Sequence, residues 1–147
     1  MQKKAIANDI LIPEFARLVA EGAKVTFTPQ GVSMLPFIRG GRDSVVLVRP
    51  VNMRNGDIVL AQTGPAVYVL HRIVEMNGEN LTLMGDGNLS GVERVRCDNV
   101  LALVETVIRD GKKVDCRSRS HRCKAEIWRM MKPVRRYLLA VYKRIIL

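Results

Sequence analysis

Cysteine is scarce in this chain, and it occurs in no pairing pattern. The three cysteines, Cys97, Cys116 and Cys123, are odd in number, and no two have Cys-x-x-Cys spacing. A disulfide framework is therefore disfavoured, and a reducing compartment fits the sequence best. Zinc binding by Cys116, His121 and Cys123 is disfavoured as well, because the cluster lacks a well-spaced fourth ligand. We expect no metal and no other cofactor.

Long apolar runs are also missing. No uninterrupted apolar stretch approaches the roughly 20 residues that a membrane-spanning helix needs. The N-terminal segment 1–15 has only a short apolar run, which Asp9 and Pro13 interrupt, so it does not read as a secretory signal peptide. The absence of a membrane-spanning run and of a signal peptide predicts a cytoplasmic protein. The sequence also has no internal repeat of fixed period.

Positive charge is concentrated at one end of the chain. The 147 residues suit a single domain, and a hydrophobic content of 48% is enough for a core. From Lys112 onward, twelve Lys and Arg stand against two acidic residues, whereas residues 1–111 are neutral overall. We therefore expect a neutral body, residues 1–111, and a basic tail, residues 112–147. An acidic partner would meet the tail rather than the body.

Apolar periodicity predicts a mainly β fold between two helical regions. A helix is expected over residues 8–22, ending at Gly22, and helix returns over about 119–147 with a break at Pro133. Between them, runs rich in Val, Ile, Leu and Thr alternate with turn sequences. These runs span residues 24–29, 44–50, 57–62, 66–74, 80–85 and 99–109. Such spacing predicts an antiparallel sandwich or a rolled barrel.

Ser33 lies in the least ordinary stretch, "GVSMLPFIRGGRD", residues 31–43. A nucleophilic serine must project from a tight turn, so that Oγ meets a substrate while nearby backbone N–H groups face the developing oxyanion. Gly31 allows a close backbone approach, and Pro36 stiffens the exit. Most serines in turns are merely solvated, so a nucleophilic role also requires a base.

His71 is one of only two histidines, and it lies inside the predicted strand "AVYVLHRIV". Strand alternation places Val67, Val69 and Ile73 on the same face as His71. Desolvation there disfavours the imidazolium and keeps the ring neutral, as a general base requires. The commoner alternative is a core histidine that binds a backbone carbonyl.

Asp86 follows the next predicted strand, in the glycine-flanked turn of "LTLMGDGNLSG". A carboxylate at this place could orient an imidazole and stabilise it after protonation. The alternative is an ordinary turn, in which Asp-Gly is common.

Together these segments resemble the S24/S26 serine peptidases, the superfamily of type I signal peptidases and LexA-like self-cleaving repressors. The segment "GVSMLPFIRGGRDSVVLV" resembles their nucleophile box, and "NGDIVLAQ" resembles their second Gly-Asp strand. The general-base segment corresponds to "YVLHRIV", and the following Gly-Asp-Asn turn to "LMGDGN". The resemblance covers residues 24–108. It implies a rolled antiparallel β-barrel or sandwich with a short N-terminal helix and a basic amphipathic C-terminal helix.

The resemblance also implies an activity, serine endopeptidase cleavage of a polypeptide through an acyl-enzyme. Ser33 would be the nucleophile and His71 the general base, as in the endoplasmic-reticulum and archaeal signal peptidases rather than the lysine-dependent relatives. Asp86 would orient His71 or hold its loop. The Ser33 N–H would supply one oxyanion donor. The substrate-binding and oxyanion region is expected at Gly31, Val32 and Met34.

The sequence departs from the family pattern in three ways. Gly31 stands where signal peptidases often carry an oxyanion-binding serine, so the second donor is unassigned. The turn through Gly41 and Arg42 is one residue longer than usual. Only 32 residues precede Ser33, and they contain no Ala-Gly or Cys-Gly pair, so LexA-like self-cleavage is disfavoured. Cleavage of a separate polypeptide is the better interpretation.

The basic tail leaves three interpretations open. Apolar and basic residues from Ala125 to Leu147 fall near helical spacing, which suits a peripheral helix on an anionic bilayer at the inner membrane surface. A helix packed on its own body is equally favoured, and nucleic-acid binding is less favoured because no such motif occurs. The alternative to an endopeptidase is a non-catalytic module that keeps the peptidase fold and binds a peptide, a membrane or a partner. No oligomeric state is predicted.

Overall fold

The computed structural model describes residues 8–146 and shows a mainly antiparallel β protein with three helices. The helices are α1 (Asn8–Ala20), α2 (Arg119–Met130) and α3 (Arg135–Ile146), with a short 3-10 turn, Lys132–Val134, between the last two. The strands are β1 (Val25–Phe27), β2 (Ser44–Val48), β3 (Ile58–Gly64), β4 (Val67–Asn77), β5 (Asn80–Met84), β6 (Glu93–Arg96), β7 (Val100–Arg109) and β8 (Lys112–Asp115). The prediction of no signal peptide falls partly on residues 1–7, which lie outside the described residues.

All eight strands belong to one sheet, in the order β1-β2-β7-β3-β4-β5-β6, with β8 also paired to β7. Every pairing is antiparallel. Within residues 8–146 the terminal strands β1 and β6 do not pair with each other, so the sheet is not a closed barrel. Of the expected rolled barrel or sandwich, the structure shows the mainly antiparallel β sheet with helices at both ends of the chain. The sheet nevertheless curls, because β3 contacts β6 although two other strands separate them in the hydrogen-bonded order.

The curled sheet buries apolar side chains on both of its faces. In β3, Ile58 and Leu60 belong to one core, and Val59 and Ala61 belong to the other. Period-two alternation produces this division, because successive strand residues point to opposite faces. Helix α1 covers the first core with Ile12 and other apolar residues. The second core lies where β4, β5 and β6 curl toward β3 and β7.

The predicted N-terminal helix and the six predicted strands are all present. Helix α1 ends with the backbone bonds of a Schellman motif, Gly22 N–H to Val19 O and Ala23 N–H to Leu18 O, at the expected Gly22. Two strands, β6 and β8, were not predicted. Both are short and rich in charge, so hydrophobic periodicity does not reveal them. The turn before β8 was recognisable in the sequence, because Asp-Gly is a common pair in two-residue hairpin turns. In the structure Asp110 and Gly111 have φ of 51° and 80°, as a type I′ turn requires.

The basic tail packs on the body instead of extending from it. The boundary predicted between residues 111 and 112 falls inside the β7–β8 hairpin. Helix α2 buries His121 and Ala125, and its Trp128 Nε1 donates to the backbone oxygen of Asp86 at 2.7 Å. The expected break at Pro133 is confirmed, because a 3-10 turn containing this proline separates α2 from α3.

Among residues 8–146, no helix is both long and apolar enough to cross a membrane. The three cysteines are free thiols in this structure. Burial raises the pKa of the Cys116 thiol to about 12, so this cysteine is a poor nucleophile and a poor metal ligand near neutral pH. The described residues contain no cluster of three or more His, Cys, Asp or Glu side chains placed to hold a metal ion.

Candidate active site

The segment that carries Ser33 is a folded-back loop between β1 and β2. Gly41 N–H donates to the Pro29 carbonyl oxygen at 2.7 Å, which closes the base of the loop. A β-carbon at Gly40 would lie only 1.9 Å from the Gly31 carbonyl oxygen, so the backbone at Gly31 can approach only because residue 40 is glycine. The unusual "RGGRD" sequence therefore has a structural reason in this close approach.

A buried ion network anchors the end of this loop. The fully buried Asp43 accepts from Arg39 Nη2 at 2.8 Å and from Arg109 Nε at 3.1 Å. Burial alone would raise the pKa of Asp43, but these hydrogen bonds and charges outweigh it and hold the pKa below its ordinary value. Arg109 Nη2 also donates to the Pro36 carbonyl oxygen at 2.7 Å. Arg109 thus fixes the loop to β7 three residues beyond Ser33, at Pro36, and again at its exit, at Asp43.

The imidazole of His71 is paired with the carboxylate of Glu93. His71 Nδ1 and Glu93 Oε1 are 2.6 Å apart, and the His71 side chain is 8% exposed. Val69 and Ile73 pack in the second core, on the face that strand alternation assigns to His71, as predicted. Because a carboxylate on Nδ1 leaves Nε2 as the nitrogen available to a substrate or nucleophile, this pairing suits a general base.

Glu93 reaches His71 across β5 because no side chain stands between them. Leu83 of β5 pairs with both Ile73 and Glu93, so these three residues share one face of the sheet. The same register places Gly85 beside His71. A β-carbon at Gly85 would lie 3.1 Å from His71 Cδ2, so only glycine leaves the ring this space.

The turn after β5, which contains Gly85 and Gly87, also holds the backbone of Ser33. Gly87 N–H donates to the Ser33 carbonyl oxygen at 2.7 Å. A β-carbon at Gly85 would lie 2.4 Å from that same oxygen, so the Ser33 carbonyl and the His71 ring border the same space at Gly85. The structure therefore brings Ser33 and His71 together at the turn, although no hydrogen bond joins Ser33 Oγ to His71 among residues 8–146.

The predicted oxyanion residues have different environments. Gly31 has φ of 93°, a conformation that favours glycine, and the Val32 side chain is exposed. The Met34 side chain is buried in the first core, and its Sδ accepts from the Asp86 N–H at 3.4 Å. The side chain of Met34 is thus a packing element of the first core. Within residues 8–146, the N–H groups of Ser33 and Met34 have no hydrogen-bond acceptor.

Asp86 does not contact the His71 ring. Its two oxygens accept from Arg72 Nε at 2.8 Å and from Arg72 Nη2 at 2.7 Å, and both side chains are 6% exposed. Asp86 is therefore paired with Arg72, and the carboxylate that the structure places on His71 is that of Glu93 instead of the expected Asp86. Its expected alternative role, holding the loop, agrees with this ion pair and with the bond from Trp128 to its backbone oxygen.

Arg72 also binds the other histidine of the chain. Arg72 Nη1 donates to the Gly56 carbonyl oxygen at 2.7 Å and lies 3.3 Å from His121 Nε2. The His121 ring is buried and packs edge-on against Phe37. Burial and the nearby Arg72 guanidinium lower the pKa of His121 to about 4. A neutral His121 accepts a hydrogen bond from Arg72, whereas a protonated one would repel it.

This histidine predicts a loss of stability in mild acid. Because the pKa of His121 is about 4 in the folded protein, against the ordinary value of 6.5, the unfolded chain binds its proton first as the pH falls. The contribution of neutral His121 to the free energy of unfolding is fully present above pH 6.5 and is lost as the pH falls toward 4. The loss between pH 7 and pH 5 is about 2 kcal/mol. Urea unfolding of the wild type and of His121→Gln at pH 7 and pH 5 measures this loss. The unfolding free energy should fall less between these pH values in the variant, and an equal fall in both proteins would contradict the prediction.

Glu93, Arg72 and His121 were missed as functional or supporting residues. Glu93 lies in β6, which periodicity did not predict, yet one signal was present: the buried Val95, two residues later, puts Glu93 on the inward face. The partners of Arg72 lie 14 and 49 residues away, so no local pattern could reveal them.

Cavities near the site are unequal in size. A cavity of about 20 Å³ adjoins Ser33 and is lined by Gly31, Met34 and Leu70 among others. A larger one of about 730 Å³ lies between α2 and the β4–β5 hairpin, where Arg72 and Asp86 line it. The larger cavity touches the ion pair that supports the turn, and not Ser33 or His71.

No protein-family profile matches the chain, and no curated protein matches its sequence significantly.

Proposed function

We propose that this protein is a serine endopeptidase of signal-peptidase type that cleaves a polypeptide substrate. The observation that carries the proposal is the arrangement at Gly85. The Ser33 carbonyl oxygen and the ring of a buried His71, whose Nδ1 is bound to Glu93 at 2.6 Å, both border the space that a β-carbon at Gly85 would fill. A serine, an imidazole and a carboxylate in this order are the parts that acyl transfer by a serine requires.

The reaction follows from these parts. Ser33 Oγ attacks the scissile carbonyl carbon, and His71 Nε2 takes the hydroxyl proton. The imidazolium that forms is stabilised by the Glu93 carboxylate, and it then protonates the leaving amine. The N–H groups of Ser33 and Met34, which have no acceptor within residues 8–146, are the candidate donors to the oxyanion. Water activated by His71 hydrolyses the Ser33 ester and restores the free serine.

The sheet supports the finer part of the proposal, membership of the signal-peptidase and LexA-like superfamily. The strands follow the expected motifs in order, and the sheet curls so that the nucleophile loop meets the turn after β5. Histidine at position 71 supports the proposal that the chain resembles the histidine-dependent members of that superfamily. In the proposed role, Arg72 and Asp86 support the turn and do not touch the substrate.

The first test is turnover of a proteome-derived peptide mixture, read by mass spectrometry as new termini. We expect Ser33→Ala and His71→Ala each to lower turnover at least about 1,000-fold while the protein stays folded. The matched control is Ser90→Ala, an exposed serine in the turn before β6, which should cleave at the wild-type rate. Full activity of Ser33→Ala would rule the proposal out.

A second candidate function is a non-catalytic module that keeps this fold and holds a peptide or partner. Two observations favour it: no hydrogen bond joins Ser33 Oγ to His71 within residues 8–146, and the adjoining cavity of about 20 Å³ holds about one water. Under this alternative, wild type and Ser33→Ala bind peptides equally and produce no new termini.

A further inference from the structure

The last helix exposes a stripe of apolar side chains. The stripe comprises Tyr137, Leu138, Val141 and Ile145 of α3, together with Val134 in the 3-10 turn just before it. These residues recur every three or four positions and are between 37% and 76% exposed. Ile127 and Met130, also exposed, continue the same spacing back into α2. Seven of the thirteen large apolar side chains exposed within the described residues thus lie in residues 127–145. Such concentration exceeds the scattered exposure that is normal on soluble surfaces.

The stripe is separate from the face by which α3 packs on the body. Arg135 and Leu139 are 3% exposed and form the buried face, whose centre is about a third of a turn away from the centre of the stripe. Arg135 Nη1 donates to the Asn88 carbonyl oxygen at 3.0 Å, so the helix is already docked through this face. The stripe is therefore apolar surface that the fold of this chain leaves uncovered.

Positive charge lies on the remaining face of α3. On the helix, Arg136 and Lys143 lie roughly opposite the stripe and Arg144 lies beside its Tyr137 edge, and none of the three forms an ion pair among the described residues. The Arg136 guanidinium turns toward the stripe and lies 5.9 Å from the centre of the Tyr137 ring. The chain has no Asp or Glu after Glu126, so the helix contains no acidic residue that could neutralise them. The surface of α3 thus combines positive charge with exposed apolar side chains. A complementary partner surface carries negative charge on its outside and has apolar material just beneath that charge.

We propose that α3 binds the surface of a bilayer containing anionic phospholipids, with the stripe inserted at the boundary of headgroups and acyl chains. Apolar burial and attraction of basic side chains to anionic headgroups act together in such helices. A nucleic acid would satisfy the charge and leave the stripe in water, which is why lipid is the better occupant.

Membrane binding would hold the candidate active site close to the bilayer. Asn88, which accepts from Arg135, follows the turn whose Gly87 N–H holds the Ser33 carbonyl oxygen. Two hydrogen bonds and three residues therefore connect the helix to Ser33. The position of the active site rests on the proposed function, whereas the binding of α3 to lipid does not.

The test is co-sedimentation of the full chain with vesicles of equal parts phosphatidylglycerol and phosphatidylcholine, and with pure phosphatidylcholine vesicles. We expect binding to the first, at least tenfold weaker binding to the second, and weaker binding at 0.5 M salt than at 0.05 M. Val141→Asp with Ile145→Asp should weaken binding at least tenfold. The control pair, Val51→Asp with Val67→Asp, changes side chains that are 56% and 50% exposed outside the stripe and should bind as the wild type does.

Three results would overturn the proposal. The wild type could fail to bind the anionic vesicles, with or without binding to duplex DNA. The stripe pair and the control pair could bind equally. Sedimentation velocity could show a dimer that the stripe pair dissociates, which would make the stripe an interface between copies. Thermal unfolding checks that both pairs fold. Binding by Ser33→Ala should equal wild-type binding whether or not the protein cleaves peptides, so failure of one proposal is distinguishable from failure of the other.

Discussion

Asp86→Ala is expected to lower the free energy of unfolding by about 3–5 kcal/mol, the largest loss that we predict for a single polar side chain. The substitution leaves the Arg72 guanidinium buried without its carboxylate, and both side chains are only 6% exposed in the intact pair. The hydrogen bond from Trp128 persists, because it goes to the backbone oxygen of residue 86. The loss therefore measures the ion pair. Urea unfolding followed by circular dichroism is the measurement.

The control for Asp86→Ala is an exposed ion pair of the same type. Glu79 pairs with Arg96 at 3.3 Å, and the two side chains are 68% and 57% exposed. Glu79→Ala should cost less than about 1 kcal/mol, because water replaces the lost partner. If Asp86→Ala cost no more than Glu79→Ala, the buried pair would not be what supports the turn. Asp86→Asn provides a milder test if the alanine variant fails to fold.

Glu93→Gln is expected to lower kcat about 100- to 10,000-fold, by analogy with carboxylate-to-amide changes in catalytic triads. Glutamine keeps the size of the side chain and removes the charge that stabilises the His71 imidazolium in the transition state. The Glu93 carboxylate favours the tautomer with its proton on Nδ1, and in that tautomer Nε2 is free to act as the base. Glutamine removes this preference. KM should change little, because Glu93 acts through His71 and does not contact substrate.

A purely structural role for Glu93 would give a different pattern. The Glu93 side chain is 28% exposed, so Glu93→Gln should change the unfolding free energy by about 1 kcal/mol or less. In the folded variant, loss of the carboxylate should therefore appear as a lower kcat at a nearly unchanged KM and a nearly unchanged unfolding free energy. An unchanged kcat in the folded variant would show that Glu93 does not position the base.

Local patterns predicted most of the fold. Helix α1 and six strands follow from apolar periodicity and turn residues, both of which act over a few neighbouring positions. The short strands β6 and β8 escaped because their sequences, "ERVR" and "KKVD", are dominated by charge. They are held by pairing with β5 and β7, an effect of tertiary structure that no window of sequence contains. The open edge of the sheet is likewise a property of the whole fold.

The candidate site was predictable only in part, for a related reason. Ser33 and His71 occupy conspicuous settings, a glycine-rich turn and an apolar strand. The choice of carboxylate depended on register: Glu93 and Asp86 are both acidic residues near the end of β5, and only the pairing of Leu83 with Glu93 brings Glu93 to His71. Asp86 lies in the glycine-flanked turn, the more conspicuous of the two sequences, yet its partner is Arg72. Cross-strand geometry, and not local composition, decides between them.

The most direct test of the central claim is whether Ser33 reacts as a nucleophile activated by His71. The measurement is intact-mass and peptide-mapping spectrometry after incubation with a fluorophosphonate, which transfers its phosphonyl group to an activated serine Oγ and releases fluoride. We predict one adduct on the wild type, mapped to Ser33, and labelling at least about 1,000-fold slower in His71→Ala. An unmodified Ser33 in the folded wild type, or equal labelling of wild type and His71→Ala, would contradict the proposal.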